Sequence, residues 1–151
     1  MQTDREAWRE LLLGFERGAS GGSTGGPLAR EAEAMPRTGA YLHVYWSGTA
    51  FILEADVGLR ERGSSLDRAI AHGARRWRSD HGLWTSERLC AAWDRTLDRA
   101  ILRPLRDGYA GRADFPSVAP LFARLGVARA GGAVELRDAE LAATRDAIMR
   151  R

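Results

Sequence analysis

Apolar residues recur every three or four positions along most of this 151-residue chain, a spacing typical of amphipathic α-helices. The clearest case is the stretch from about Ser47 to Arg62, which carries Phe51, Ile52, Ala55 and Leu59 at positions i, i+1, i+4 and i+8. A broad apolar side of this kind predicts a central and largely buried helix. The other predicted helices run from about Thr3 to Arg17, Leu28 to Met35, Ser64 to Trp77, Glu87 to Arg103, Pro116 to Gly126 and Asp138 to Met149. The pattern therefore predicts a mostly α fold, a bundle of six or seven helices in a single domain over residues 1-151.

Glycines interrupt this helical pattern at two places. The run from Gly18 to Pro27 is rich in Gly and Ser and lacks apolar anchors, so residues 18-27 are predicted to form a mobile loop that folding does not require. Further on, Gly131-Gly132 separates the short runs Val127 to Ala130 and Ala133 to Leu136. This spacing predicts one β-hairpin at residues 127-136.

Capping residues and prolines predict where individual helices begin and end. Ser64 and Asp67 stand three residues apart, a capping-box pattern that predicts the start of the fourth helix. Pro36 predicts the end of the second helix, and Pro104 predicts the end of the helix that begins near Glu87. Asp138 is the predicted N-cap of the last helix, and a turn is predicted over residues 79–83.

The charge pattern does not favour nucleic acid as a partner, and the apolar runs are too short for a membrane span. All 23 basic residues are Arg, and they alternate with 20 acidic residues to leave a net charge of +3. The densest basic run, Arg75 to Arg78, is explained by the favourable interaction of cations with the C-terminal end of a helix. The chain has no run of 18 apolar residues and no signal-peptide pattern after Met1. The sequence therefore predicts no membrane span and specifies no localisation.

The residues that most often carry metal or nucleophilic chemistry form no motif in this chain. None of His43, His72 and His81 is followed by Glu, and no two of them lie three or four residues apart. Cys90 is the one cysteine and belongs to a predicted buried stripe, so it is expected to be chemically quiet. The sequence therefore predicts no metal site and no cofactor in this chain.

The segment from Val44 to Asp56 places Tyr45 three residues before Gly48 and ahead of the long apolar helix. A tyrosine at such a position is ordinarily a packing residue. The order Tyr-x-x-Gly, apolar helix and Ala-Asp-Val-x-Leu-Arg nevertheless resembles the segment of gluzincin zinc metallopeptidases that carries their transition-state tyrosine. The glycyl aminopeptidase family is the nearest likeness. The resemblance covers roughly Ala40 to Met149, and it continues through Leu59 to Ala69, Phe115 to Val127 and Asp138 to Met149.

This resemblance implies a helical part of a peptidase rather than a whole one. Tyr45 would donate a hydrogen bond to the oxyanion that forms on the scissile carbonyl, while zinc and its ligands would belong to the complete enzyme. The HExxH motif that holds the metal in gluzincins is missing here. Since Met1 corresponds to a point after the third zinc ligand of the family, the chain is expected to be a C-terminal fragment and inactive alone. A peptide substrate and a zinc-bearing N-terminal partner domain are implied only for the complete enzyme.

A non-catalytic helical protein-interaction module is the alternative function. The chain contains five tryptophans, which would mark a docking face if several of them were exposed together. Under either function, the sequence specifies neither the residues that bind substrate, nor the specificity, nor the oligomeric state.

Overall fold

Eight α-helices and one hairpin form the secondary structure of residues 3–77, 82 and 84–150, which are the residues that the computed structural model describes. The helices are α1 (Asp4–Ala19), α2 (Leu28–Thr38), α3 (Tyr41–Arg60), α4 (Leu66–Trp77), α5 (Ser86–Leu97), α6 (Leu102–Ala110), α7 (Ala119–Leu125) and α8 (Ala142–Met149). The antiparallel strands are β1 (Val127–Ala130) and β2 (Ala133–Leu136). The mostly α class and the hairpin at 127-136 are confirmed. The turn predicted over residues 79–83 lies outside the described residues, except for Gly82.

Helix α3 is central, because both apolar cores are built on it. The first core joins α3 to α1, α6, α7, the hairpin and the segment before α8, and its buried members are Trp8, Phe15, Ala50, Leu53, Val57, Tyr109, Phe122, Leu125, Val127, Val134 and Leu141. The second core joins α3 to α4, α5 and α6, and its buried members are Ala55, Leu59, Leu66, Ala69, Cys90, Trp93 and Leu102. Each core contains apolar residues that are far apart in the sequence, so packing on α3 holds the helices together.

Packing between α1 and α3 depends on two glycines of α1. Gly14 and Gly18 lie one turn apart and are both buried, and a Cβ atom at either position would overlap the side chain of Trp46. The indole therefore lies against the bare backbone of α1, with its ring edge-on to Phe15 at a centroid distance of 5.6 Å. Trp46 is thus a packing residue, and its packing fixes the position of the preceding residue, Tyr45.

Carboxylates on one helix cap the start of a later helix at two places. The Asp56 carboxylate of α3 accepts a hydrogen bond from the backbone N–H of Leu66 at 2.7 Å, and the Ser65 hydroxyl accepts one from Arg68 N–H at 3.3 Å. The capping box predicted from Ser64 and Asp67 is therefore wrong, because the first turn of α4 takes its acceptors from Asp56 and Ser65 instead.

The second capping carboxylate explains why the predicted helix from Glu87 to Arg103 is two helices. Asp94 accepts hydrogen bonds from three consecutive N–H groups at the start of α6, those of residues 101, 102 and 103, at 2.8 to 3.1 Å. The chain turns at Asp98, whose φ of 51° ends α5. Pro104 lies in the first turn of α6, where a missing N–H costs no helical hydrogen bond, so it begins a helix instead of ending one.

Two other predicted helix ends are shifted. Helix α2 continues through Pro36 to Thr38, and Gly39 ends it with a left-handed φ of 74°. Asp138 does not cap the last helix, because α8 begins only at Ala142. The segment before α8 is held instead by the buried guanidinium of Arg145, which donates to the carbonyl oxygens of residues 125 and 137.

Candidate functional site

Tyr45 lies in the second turn of α3 and projects from the protein surface. The helix begins at Tyr41 rather than near Ser47, so Tyr45 is inside the helix and not ahead of it. Its side chain is 64% exposed, more than any other large apolar side chain of the described residues. Within the part of the chain that the structure describes, no hydrogen bond is made by its hydroxyl. The phenol is therefore available to a ligand or to another polypeptide.

An apolar surface surrounds Tyr45 and is named here the α3 face, which consists of Tyr41, Leu42, Tyr45 and Ile52. These side chains are 43 to 64% exposed, and their spacing of three, four and seven residues places them on one side of the helix. Thr49 lies among them, but its hydroxyl donates to the Tyr45 carbonyl at 3.0 Å and so is bonded to the helix itself. Exposed apolar residues grouped in this way are typical of a surface that binds a partner or a ligand.

The exposed aromatic side chains of the α3 face are tyrosines, not tryptophans. Trp8 and Trp93 are buried, while Trp46 and Trp84 are half-buried, and the side chain of Trp77 is outside the described residues. None of the four tryptophans whose side chains the structure describes is exposed, so these four do not meet the condition for marking a docking face. The prediction that Ile52 belongs to the buried side of the central helix is wrong, because its side chain is 43% exposed. Tyr41 and Leu42 were not singled out from the sequence, although their spacing to Tyr45 could have indicated a shared side.

The loop between α1 and α2 is held next to the start of α3 by hydrogen bonds to Glu31. A single oxygen of the buried Glu31, Oε1, accepts hydrogen bonds from the Ser23 hydroxyl at 2.7 Å, the Thr24 N–H at 2.6 Å and the Thr24 hydroxyl at 2.9 Å. The other oxygen, Oε2, lies 3.8 Å from Nε2 of the equally buried His43. The sequence indicated that residues 18-27 lack apolar anchors, but Ser23 and Thr24 supply polar ones. This cluster holds the loop against the helical turn that carries Tyr45.

Other candidate groups are buried in the interior or lie apart from the α3 face. Burial raises the pKa of the Cys90 thiol to about 11, with a further contribution from the nearby Asp94, so the thiol stays protonated and unreactive at neutral pH. Burial also raises the pKa of Tyr109, whose hydroxyl donates to Glu54 at 2.7 Å. The hydroxyl of Tyr109 is thus held in the core, whereas that of Tyr45 faces outward.

The described residues do not fit a zinc site. They contain no group of three or more His, Cys, Asp and Glu side chains that could hold a metal ion. His43 is buried beside Glu31, His72 is exposed on α4, and His81 lies outside the described residues.

Comparison of the chain with models of protein families, with curated proteins and with solved structures finds no match. Among the described helices, none has the length and apolar content needed to cross a lipid bilayer. The functional assignment of Tyr45 therefore stays a prediction that rests on its motif.

Proposed function

We propose that this chain is the helical part of a glycyl aminopeptidase-like zinc metallopeptidase, in which Tyr45 stabilises the transition state. The observation that carries the proposal is the position of the Tyr45 hydroxyl, which is unbonded within the described chain and exposed at the centre of the α3 face. A catalytic phenol must meet its substrate from a surface, whereas a packing tyrosine is expected to be covered. The Tyr-x-x-Gly motif adds the chemical role that exposure alone does not specify.

Tyr45 would act as a hydrogen-bond donor. When water adds to a peptide carbonyl, negative charge develops on its oxygen, and a donor already aimed at that oxygen lowers the barrier. The Trp46 indole, wedged against α1, keeps this turn of α3 from rotating. Glu31, together with Ser23 and Thr24 of the loop between α1 and α2, also packs against the same turn and holds it in place. The donor would therefore be preorganised, so little reorganisation would accompany the reaction.

Zinc would polarise the scissile carbonyl in the complete enzyme. Its ligands would come from elsewhere than the described residues, which contain no group of three or more His, Cys, Asp and Glu side chains that could hold a metal ion. The α3 face would dock the polypeptide segment that carries those ligands. Docking would cover Tyr41, Leu42 and Ile52 and would leave the Tyr45 hydroxyl at the junction, next to the substrate. Apolar residues at the centre of an interface commonly provide most of its binding energy.

The first experiment reconstitutes the enzyme from its two parts. A polypeptide that contains HExxH and is encoded directly upstream of this chain would be the partner to test, and the assay is zinc-dependent hydrolysis of aminoacyl 4-nitroanilides. We expect hydrolysis only when both polypeptides are present. In the same pair, Ile52→Asp should weaken association at least about tenfold, because it places a charge in the apolar interface.

Ile70→Asp is the matched control for association. Ile70 lies on α4 and is 44% exposed, against 43% for Ile52, but it is not part of the α3 face. Its substitution should leave association within about twofold of wild type. If Ile52→Asp and Ile70→Asp weakened association equally, docking through the α3 face would be contradicted. If the isolated chain hydrolysed the substrate, the division of the active site between two polypeptides would be contradicted.

A non-catalytic interaction module is the second candidate function. The observation that favours it is the same α3 face, since an exposed apolar surface can serve binding alone. Under this function, a partner would bind in an Ile52-dependent way, but the complex would show no zinc-dependent hydrolysis. The reconstitution assay therefore separates the two functions.

A further inference from the structure

A cavity of about 710 Å³ lies between the second half of α1, the segment that leads into α7, and the hairpin. Leu12 and Phe15 line it from α1, Phe122 lines it from α7, and Val127 lines it from β1. The described residues that line the cavity include none from α3, so it is separate from the α3 face. The proposed peptidase function does not use this space.

The cavity stays open because a rigid aromatic wall faces several small residues. Phe15 and Phe122 are buried in the first core, and their rings pack edge-on at a centroid distance of 5.8 Å. Gly126 cannot be replaced by a larger residue, because a Cβ atom there would lie 2.3 Å from the carbonyl oxygen of Arg137. The small residues that line the cavity are Ala19, Ala119, Ala123, Gly126, Ala128 and Ala139. Their side chains are too short to fill the space in front of the aromatic rings.

The size and the lining of the cavity match those of a site for a small organic molecule. Such sites usually enclose about 300 to 1,000 Å³ and combine apolar walls with a few polar groups. The cavity falls inside this range, and its walls are mainly apolar. The polar side chains that line it are exposed to solvent, and they are Glu16, Ser117, Arg137 and Asp138. A ligand would therefore bury an apolar body and keep its polar end near these side chains.

The charges at the edge of the cavity indicate the sign of that polar end. The Glu16 carboxylate accepts a hydrogen bond from Arg129, and the Arg137 guanidinium donates two to Glu135, at 2.7 and 3.1 Å. These four charges therefore balance in pairs. Within the described part of the chain, the Asp138 carboxylate makes neither a hydrogen bond nor an ion pair. The uncompensated charge at this edge is negative, so it attracts a cation and repels an anion.

We propose that this cavity binds a small organic amine with an aromatic or aliphatic body. The body lies against the rings of Phe15, Phe115 and Phe122, where its burial provides most of the affinity. The ammonium group lies beside Asp138 and remains partly hydrated. Because the site does not include Tyr45, it holds whether or not the chain is part of a peptidase.

The test uses the isolated chain and three compounds that share one apolar body. At neutral pH, 4-phenylbutylamine is a cation, 4-phenylbutan-1-ol is neutral and 4-phenylbutanoate is an anion. The ¹H–¹⁵N NMR spectrum of the protein is titrated with each compound at low salt, where exposed charges are least screened. We expect the amine to shift the signals of Ala19, Ala123 and Ala128. It should bind about threefold more tightly than the alcohol and about tenfold more tightly than the carboxylate, because an exposed ion pair contributes modestly.

This order of affinities separates a specific site from general adsorption. The chain has a net charge of +3, so non-specific attraction would favour the carboxylate over the amine. Equal binding of the amine and the carboxylate would overturn the proposal. Shifts confined to residues outside the cavity, or no saturable binding of any of the three compounds, would also overturn it.

A substitution inside the cavity locates the apolar body of the ligand. Ala123→Leu adds a larger side chain to the lining and should weaken binding of the amine about tenfold or more, because leucine occupies part of the space that the ligand fills. Ala71→Leu makes the same change at an exposed position of α4 and should leave binding within about twofold of wild type. If Ala123→Leu bound the amine as wild type does, the ligand would not lie in this cavity and the proposal would be contradicted.

A second substitution tests the position of the ammonium group without changing the volume of the cavity. Asp138→Asn should remove the preference for the amine over the alcohol and leave the affinity for the alcohol unchanged. Asp67→Asn removes a carboxylate that is exposed on α4, and it should retain the wild-type preference. If Asp138→Asn kept that preference, the assignment of Asp138 as the partner of the ammonium group would be overturned.

Discussion

Glu31 shows how a single buried carboxylate organises the region beneath the candidate site. Burial by itself would raise the pKa of Glu31, but hydrogen bonds from Ser23 and Thr24 and the charge of His43 more than offset it, so the pKa is lowered. The folded state therefore favours the ionised form, which accepts three hydrogen bonds on one oxygen. Stability that depends on this ionised form should be sensitive to acid.

Glu31→Gln should lower the free energy of unfolding at pH 7 by about 1–3 kcal/mol, because donors bond less strongly to a neutral amide than to a carboxylate. This loss of unfolding free energy should be complete above about pH 4.3, which is the ordinary pKa of a glutamate carboxyl. It should shrink as the pH falls through the lowered pKa that Glu31 has in the folded wild-type protein. Urea unfolding between pH 3 and 7 measures it. Glu33→Gln, an exposed neighbour on α2, is the control and should cost little at any pH. A Glu31→Gln deficit that stays constant across this range would contradict the assignment.

The loop anchor could not be predicted from the sequence. Sequence reasoning looked for apolar anchors between Gly18 and Pro27, whereas Ser23 and Thr24 bond to a carboxylate seven or eight residues away. An acidic residue on a short polar helix usually faces solvent. Only the tertiary packing of α2 on α3 buries Glu31.

At the level of elements, the packing of α1 on α3 determines where Tyr45 lies. Glycines inside a helix ordinarily destabilise it by about 1 kcal/mol relative to alanine. In α1 they have a compensating role, since the bare backbone at Gly14 and Gly18 admits the Trp46 ring. The cost in helix propensity is offset by close contact between the two helices.

Gly14→Ala should therefore destabilise the protein, by about 1–3 kcal/mol, although alanine is the better helix former. The Cβ atom would displace Trp46 and move α3 away from α1. Gly108→Ala provides the contrast, since this exposed glycine of α6 has open space around it and alanine there should be neutral or stabilising by up to about 1 kcal/mol. Denaturant midpoints with unchanged slopes measure both. If Gly14→Ala left the free energy of unfolding unchanged, the packing of Trp46 would not depend on the bare backbone of α1 at this position.

Sequence patterns predicted most helices and the hairpin, because those elements have local signals. Gly131-Gly132 marks the hairpin turn, and the apolar stripes mark the helices. The break between α5 and α6 has no comparable signal, since it turns at Asp98 without a Gly or Pro. The break is caused by the Asp94 carboxylate, which caps backbone N–H groups seven to nine residues further along the chain. This capping forms only when the chain folds, so the sequence pattern does not indicate it.

For the whole molecule, α3 links the fold to the proposed activity. Two cores cover its other sides and leave the α3 face exposed with Tyr45 at its centre. The motif around Tyr45 was readable in the sequence. Which side of an almost entirely apolar helix remains uncovered depends on the arrangement of α1, α2, α4 and α6, so the α3 face could not be predicted.

The most direct test of the account is the turnover number of the reconstituted zinc enzyme with Tyr45→Phe, compared with Tyr41→Phe. Both substitutions remove one exposed hydroxyl from the α3 face, one helical turn apart, and neither should alter folding or association. We predict that Tyr45→Phe lowers kcat by about a hundredfold to a thousandfold, because it removes the oxyanion donor, while Tyr41→Phe stays within about twofold of wild type. A Tyr45→Phe enzyme with wild-type kcat would contradict the catalytic role of this tyrosine.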